Sequence, residues 1–118
     1  MASDTGTLAA RGTPTIKTES IEGNVVDVRT PDQILGLLDM DLTEVIVLIH
    51  TAGASMLAPV FGDLRGVLCT VGGPGAHVAI ISREFGVPCV VALDIFGEDI
   101  VGRRVRVEPS GEVHIIGD

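Results

Sequence analysis

Hydrophobic residues fall in short runs along this chain, separated by glycine-rich and polar segments, which is the pattern of alternating strands and helices. Nearly continuous apolar runs at residues 44–50, 66–70 and 88–92 predict three strands that are buried on both faces. Residues 104–108 and 112–116 instead alternate apolar and polar side chains on either side of a Pro-Ser-Gly turn. That alternation predicts a terminal hairpin with one face in water.

Start and stop signals predict helices between the strands. The sequence Thr-Pro-Asp-Gln at residues 30–33 is typical of a capped helix start. A second helix is predicted over 76–85, after a glycine-rich turn and before Gly86, and a short one over 56–64. Two β-branched runs within 15–29 indicate a hairpin or two adjacent strands. The interleaving predicts an α/β fold in three layers, with parallel strands in the centre and a separate antiparallel portion.

Residues 1–14 are small, polar and aperiodic, and we expect a disordered N-terminal tail there. Residues 15–118 then have the length of one domain with its own core. The first segment lacks the apolar centre of a signal peptide, and no run reaches transmembrane length, so we expect a cytoplasmic location.

The formal charge is −8, from sixteen acidic and eight basic residues. A surface of that sign repels phosphate backbones and anionic lipids, so neither nucleic acid nor a membrane is expected as a partner. Any anion that the chain meets must be bound locally by backbone amides or by a partner. Cys69 and Cys89 lie in apolar runs and are expected to be buried free thiols.

The segment 67–91 carries the most informative chemistry, because a buried strand ends in a turn with three glycines and a helix follows at once. His77 lies in the first turn of that predicted helix, where unpaired N–H groups and the helix dipole favour a phosphate group. Neutral imidazole is a nucleophile, so the sequence places a nucleophile beside an anion site. Spacing alone also fits an ordinary strand-to-helix turn with an incidental histidine. The glycines match neither a dinucleotide fingerprint nor a P-loop.

The same segment resembles the phosphohistidine signature of the PEP-utilising enzyme family. The positions that match this signature are Gly72, Gly73, His77, Ala79, Ile80, Arg83, Glu84, Gly86, Val87 and Pro88. Thr51 and Pro59 upstream, and Gly102 and Gly111 downstream, extend the likeness over roughly residues 20–116. Two positions depart from the family: Gly75-Ala76 replaces a hydroxyl residue before the histidine, and Ala92 stands where glycine commonly follows the strand.

The resemblance implies a three-layer swivelling β/β/α phosphohistidine domain. His77 would be the phosphorylated nucleophile, Gly72, Gly73, Gly75 and Ala76 would bind phosphate, and Thr51 would help to hold that loop. ATP would be split to AMP and phosphate, with ATP and Mg²⁺ on a nucleotide-binding (ATP-grasp-like) partner subunit or domain and no cofactor or metal on this chain. A second partner would bind the acceptor, an organic hydroxyl compound or pyruvate. Two alternatives are a carrier in a PEP-dependent protein phosphorelay and a non-catalytic docking module.

The other polar candidates carry weaker signals. Arg83 and Glu84 lie more than a helical turn from His77, so we expect structural contacts from them. His50 closes a buried strand, and His114 belongs to the terminal hairpin. Three scattered histidines without ligand spacing predict no metal site.

Overall fold

The computed structural model describes residues 6–53 and 55–117, and these form seven strands and two α-helices. The strands are β1 (Thr7–Pro14), β2 (Ile21–Asp27), β3 (Val45–Ile49), β4 (Gly66–Cys69), β5 (Cys89–Ile95), β6 (Arg104–Val107) and β7 (Glu112–Gly117). The helices are α1 (Pro31–Leu37) and α2 (His77–Phe85), and two 3-10 turns, Ser55–Leu57 and Phe61–Asp63, join β3 to β4.

The strands form one closed barrel in the order β1-β5-β4-β3-β2-β6-β7. Strands β2, β3, β4 and β5 are parallel to one another, and β1, β6 and β7 complete the barrel with antiparallel pairs. The parallel centre and the terminal hairpin are therefore confirmed, as is a mixed α/β class in which strands dominate. Separate β layers are not observed, because β1 pairs with both β5 and β7 and joins the two portions into one sheet.

Strand β3 explains why the central runs are apolar throughout. Val45, Val47 and Ile49 face the helices, whereas Ile46 and Leu48 face the interior of the barrel, and all five are buried. Successive side chains of a strand point to opposite faces, so a strand with cores on both sides needs an apolar residue at every position.

The expectation of a disordered tail over residues 1–14 is wrong for residues 7–14, which form β1; residues 1–5 lie outside the described part of the chain. Ala9 and Ala10 are fully buried. A Cβ on Gly111 would stand 2.1 Å from the carbonyl oxygen of Gly12, and a Cβ on Gly97 would stand 3.0 Å from Cα of Ala9. The small residues of β1 and of the segments that face it therefore allow backbones to approach closely. Judged by composition alone, the same small residues resemble a disordered segment.

Two further expectations are corrected. Within 15–29 only β2 is a strand, and it pairs with β3 and β6 rather than in a local hairpin. The helix expected over 56–64 is replaced by the two 3-10 turns. The other helix signals are confirmed: the Gln33 side chain accepts the Thr30 N–H at 3.0 Å, and Gly86 ends α2 with φ of +68°.

Candidate functional site

The site lies where the parallel strands β2, β3 and β4 end, because the carboxyl ends of parallel strands meet at one edge of a sheet. Residues 70–76 connect β4 to α2 across this edge, and residues 50–53 leave β3 beside them. The 50–53 loop is bonded to the first turn of α2, where the Val78 N–H donates to the Ala52 carbonyl oxygen at 2.9 Å. A Cβ placed on Gly72 would stand 3.4 Å from the Ala52 Cβ.

The glycine-rich loop presents backbone N–H groups at its surface. Gly72 has φ of +90°, a left-handed conformation that favours glycine. Within residues 6–53 and 55–117, the N–H groups of Gly72, Gly73 and Gly75 have no protein acceptor. The Ala76 N–H, which was expected to bind phosphate with them, instead donates to the Gly73 carbonyl oxygen at 2.9 Å. Three of the four expected N–H groups are therefore available to an anion.

His77 is the first residue of α2, and its side chain is exposed. The N-cap residue Ala76 has no side-chain acceptor for the helix, and within the first turn the Val78 N–H is capped by the Ala52 carbonyl oxygen instead. Thr51 is exposed in the adjoining loop, where its hydroxyl accepts the Gly53 N–H at 3.4 Å. The fold therefore brings together the histidine, the glycine-rich loop and the Thr51 loop at one edge of the sheet.

Arg83 holds the loop in place from the far end of α2. Its Nη2 donates to the Pro74 carbonyl oxygen at 2.8 Å, and its Nε donates to the Thr15 carbonyl oxygen at 3.2 Å. These contacts agree with the structural role expected for Arg83.

Sequence reasoning missed a row of polar side chains at the same edge, which we call the polar row: Asp27, His50 and Thr70. His50 Nε2 lies 2.7 Å from Asp27 Oδ1, and His50 Nδ1 lies 3.2 Å from Thr70 Oγ1. Arg29 Nε also donates to the Asp27 carboxylate at 2.8 Å. Each member lies two positions after a barrel-facing residue of its strand, namely Val25, Leu48 or Leu68. For His50 and Thr70 this offset follows an apolar run and is readable in the sequence, whereas Asp27 follows β2, which is not such a run.

The electrostatics of the polar row favour a charged carboxylate. Burial raises the pKa of Asp27, but hydrogen bonds from His50 and Arg29 and the charge of Arg29 outweigh it, so that this pKa lies below its usual value. An ionised Asp27 carboxylate accepts a hydrogen bond from the Nε2–H of His50, and in the tautomer that carries only this proton Nδ1 accepts a hydrogen bond from the Thr70 hydroxyl. A cleft of about 210 Å³ opens beside the row between Arg29, Thr51 and Met56.

The remaining candidates are two buried cysteines, of which Cys69 donates to the Thr51 carbonyl oxygen at 3.3 Å, and His114, which lies apart from this edge. Cys69 and Cys89 are buried free thiols, as expected, and burial raises the pKa of Cys89 to about 12. His114 lies on β7 with Nδ1 at 4.0 Å from Glu108. Among the described residues no group of three His, Cys, Asp or Glu side chains is placed to hold a metal ion. Neither described helix combines the length and hydropathy that crossing a membrane requires.

Solved structures share the fold at low sequence identity. A UPF0107 protein determined by solution NMR superposes with a TM-score of 0.59 and 15% identity, covering 90% of this chain and 97% of that one. The Microcin C7 self immunity protein MccF superposes with a TM-score of 0.56 and 10% identity, covering 93% of this chain and 41% of that one.

Sequence comparison gives closer relatives. The rifampicin phosphotransferase of Bacillus subtilis is 35% identical over 75 residues, which is 63% of this chain and 9% of that protein. The rifampicin phosphotransferase of Streptomyces sviceus is 35% identical over 85 residues, 70% of this chain and 10% of that protein. The chain thus spans about a tenth of the length of these relatives. The family model described as "PEP-utilising enzyme, mobile domain" matches residues 42–109, so the chain belongs to the PEP-utilising enzyme family as its mobile domain.

Proposed function

We propose that this domain is the phosphohistidine carrier of an ATP-dependent, dikinase-type phosphotransferase and that His77 carries the phosphoryl group. The observation that carries the proposal is the placement of an exposed imidazole at the start of α2, beside a loop with three N–H groups that have no acceptor among the described residues. Such N–H groups and the helix N-terminus stabilise the charge of a phosphoryl group on the ring.

Two displacements at phosphorus involve the ring. In the first, the lone pair of an imidazole nitrogen forms a P–N bond with the β-phosphorus of ATP while its bridging P–O bond to the α-phosphorus breaks, and the electron pair leaves with AMP. Hydrolysis of the terminal P–O bond by water releases inorganic phosphate and leaves one phosphoryl group on the ring. In the second, an acceptor oxygen forms a P–O bond as the P–N bond breaks. The electron pair returns to the ring, and the proton of the acceptor hydroxyl is taken up by the ring or by solvent. Both steps depend mainly on positioning and charge stabilisation.

Other domains or subunits supply the donor and acceptor sites in this proposal. The curated relatives are phosphotransferases named for an organic acceptor, and a region like this one makes up about a tenth of their length. Their names support an organic acceptor for this domain. In this proposal Mg²⁺ is bound together with ATP by the nucleotide-binding partner. The domain swivels between the two partner sites.

The first test uses potassium phosphoramidate, a small-molecule phosphoryl donor to histidine. We expect intact-mass analysis to show one acid-labile phosphoryl group, which is lost in His77→Ala and kept in the control His114→Ala. A phosphoryl group that forms on His50 or His114 in preference to His77 would contradict the assignment.

The second test adds the nucleotide-binding chain sought among the neighbouring reading frames, with ATP and Mg²⁺ or with PEP. A phosphoryl group on His77 that depends on ATP supports the dikinase-type carrier, and one that depends on PEP supports the protein phosphorelay instead. No modification by an active partner with either donor would leave the domain a docking module.

A further inference from the structure

An apolar groove lies on the helix side of the domain, far from His77 in the topology. Leu35, Leu38 and Met40, at the end of α1 and just after it, are 63%, 51% and 51% exposed. Leu38 and Met40 line a groove of about 310 Å³ whose opposite wall includes Pro59. Three large apolar side chains within six positions, next to an open groove, form the kind of surface that a partner covers.

The groove and His77 occupy opposite edges of the parallel sheet. The segment 28–44 runs from the carboxyl end of β2 back to the amino end of β3, so its last residues lie at the amino edge. His77 follows the loop at the carboxyl edge. A partner seated in the groove therefore leaves the candidate functional site open.

The rim of the groove is formed by the acidic residues Asp41 and Asp63, and the segment that carries the groove is acidic as well. Residues 30–64 contain five acidic residues and no lysine or arginine: Asp32, Asp39, Asp41, Glu44 and Asp63. Asp41 and Asp63 line the groove itself. The Thr43 N–H and hydroxyl donate to the Asp41 carboxylate at 3.0 and 2.8 Å, which lowers the pKa of Asp41.

Two basic residues lie beyond Thr43 and Glu44 and do not line the groove. Glu44 is paired with Arg104 at 2.7 Å, and Arg65 lines a neighbouring cleft with Thr43 and Glu44. The charge of the groove itself is thus carried by Asp41 and Asp63, without a base of this chain among its lining residues.

We propose that this groove is a docking site for a partner segment that combines apolar side chains with lysine or arginine. Apolar side chains would cover Leu38 and Met40, and basic ones would meet the carboxylates of the rim. A second copy of the chain is a poorer occupant, because it would place one acidic rim against another. The proposal stands on the groove alone and does not depend on the role of His77.

The test uses a synthetic amphipathic helix of leucine and lysine as the probe and its leucine–glutamate counterpart as the control peptide. Amide NMR of the isotope-labelled chain should show shifts confined to residues of the groove with the basic peptide only. Raising the salt concentration should weaken this binding, since exposed charges are screened. In Leu38→Ser/Met40→Ser we expect the affinity to fall by roughly tenfold or more.

Phe96→Ser is the matched control. Phe96 is also 51% exposed, but it follows β5 and lies away from the groove. Its affinity should stay within about twofold of the parent. Shifts spread over the whole surface, equal binding of the acidic peptide, or an equal loss in Phe96→Ser would overturn the proposal. Groove shifts that depend on the concentration of the chain alone would assign the groove to a second copy instead.

Discussion

Ala92 offers a sharp test of the backbone geometry next to the site. It has φ of +54°, and no other non-glycine residue in the described part of the chain has a positive φ. Its N–H donates to the Val71 carbonyl oxygen at 3.2 Å, at the start of the glycine-rich loop. The left-handed conformation therefore serves the loop, and glycine would adopt it without strain.

The magnitude for Ala92→Gly follows from two opposing effects. The left-handed conformation costs an L-residue about 1–2 kcal/mol, which glycine avoids. Glycine also raises the entropy of the unfolded chain, which costs about 0.4–1 kcal/mol. The side chain is exposed, so no burial is lost. We expect a net stabilisation of about 0.5–1 kcal/mol, or a rise in Tm of about 2–5 °C for a domain of this size.

Urea denaturation and calorimetry measure this effect, with Ala58→Gly as the matched control. Ala58 is also exposed but has a negative φ, so its replacement by glycine should lower the unfolding free energy by about 0.5–1 kcal/mol. Opposite signs for the two variants are the expected result. A loss of stability in Ala92→Gly equal to that in Ala58→Gly would refute the reasoning from backbone strain.

Three further predictions concern single side chains. Ala76→Ser should supply the absent N-cap hydroxyl and raise the unfolding free energy by about 1 kcal/mol, measured by urea denaturation, and no gain would show that the cap is already satisfied. Asp27→Asn should destabilise the chain by about 1–2 kcal/mol at neutral pH. Because folding lowers the pKa of Asp27, its carboxylate stabilises the fold at pH values above the pKa of the unfolded state, and this stabilisation is lost as the pH falls through the pKa of the folded state. The difference between parent and variant should shrink toward pH ~3, and a difference independent of pH would contradict the role of the carboxylate. Cys89 should resist alkylation by iodoacetamide in the native state near pH ~8 and react only at the rate of unfolding, because burial raises its pKa to about 12. Rapid alkylation of Cys89 in the native protein would exclude this burial.

The elements that sequence predicts well are those with a strong local signal. Strand β3 is apolar at every position because each face has its own core, and α2 is bounded by a glycine turn and by Gly86. Strand β1 has no such signal, since its close contacts depend on Gly97 and Gly111, which are distant along the chain. The polar row was missed for the same reason: its members come together only through the register of β2, β3 and β4.

Three hydrogen bonds around the glycine-rich loop hold it without using the N–H groups of Gly72, Gly73 and Gly75, which have no acceptor in the described part of the chain. Its shape is fixed from outside, by Arg83 on the Pro74 carbonyl oxygen, by Ala92 on the Val71 carbonyl oxygen and by Val78 on the Ala52 carbonyl oxygen. The loop supplies the acceptor oxygen in the first two contacts. The third contact joins the neighbouring loop at Ala52 to Val78 of α2. None of them uses the N–H group of a loop glycine. Under the proposed function, a phosphoryl group on His77 would meet donors that are already oriented, and little free energy would go into reorganising them. In Arg83→Met the activation free energy for phosphorylation of His77 should accordingly rise by more than the free energy of unfolding falls. Equal changes in these two free energies would reduce Arg83 to a general structural contact.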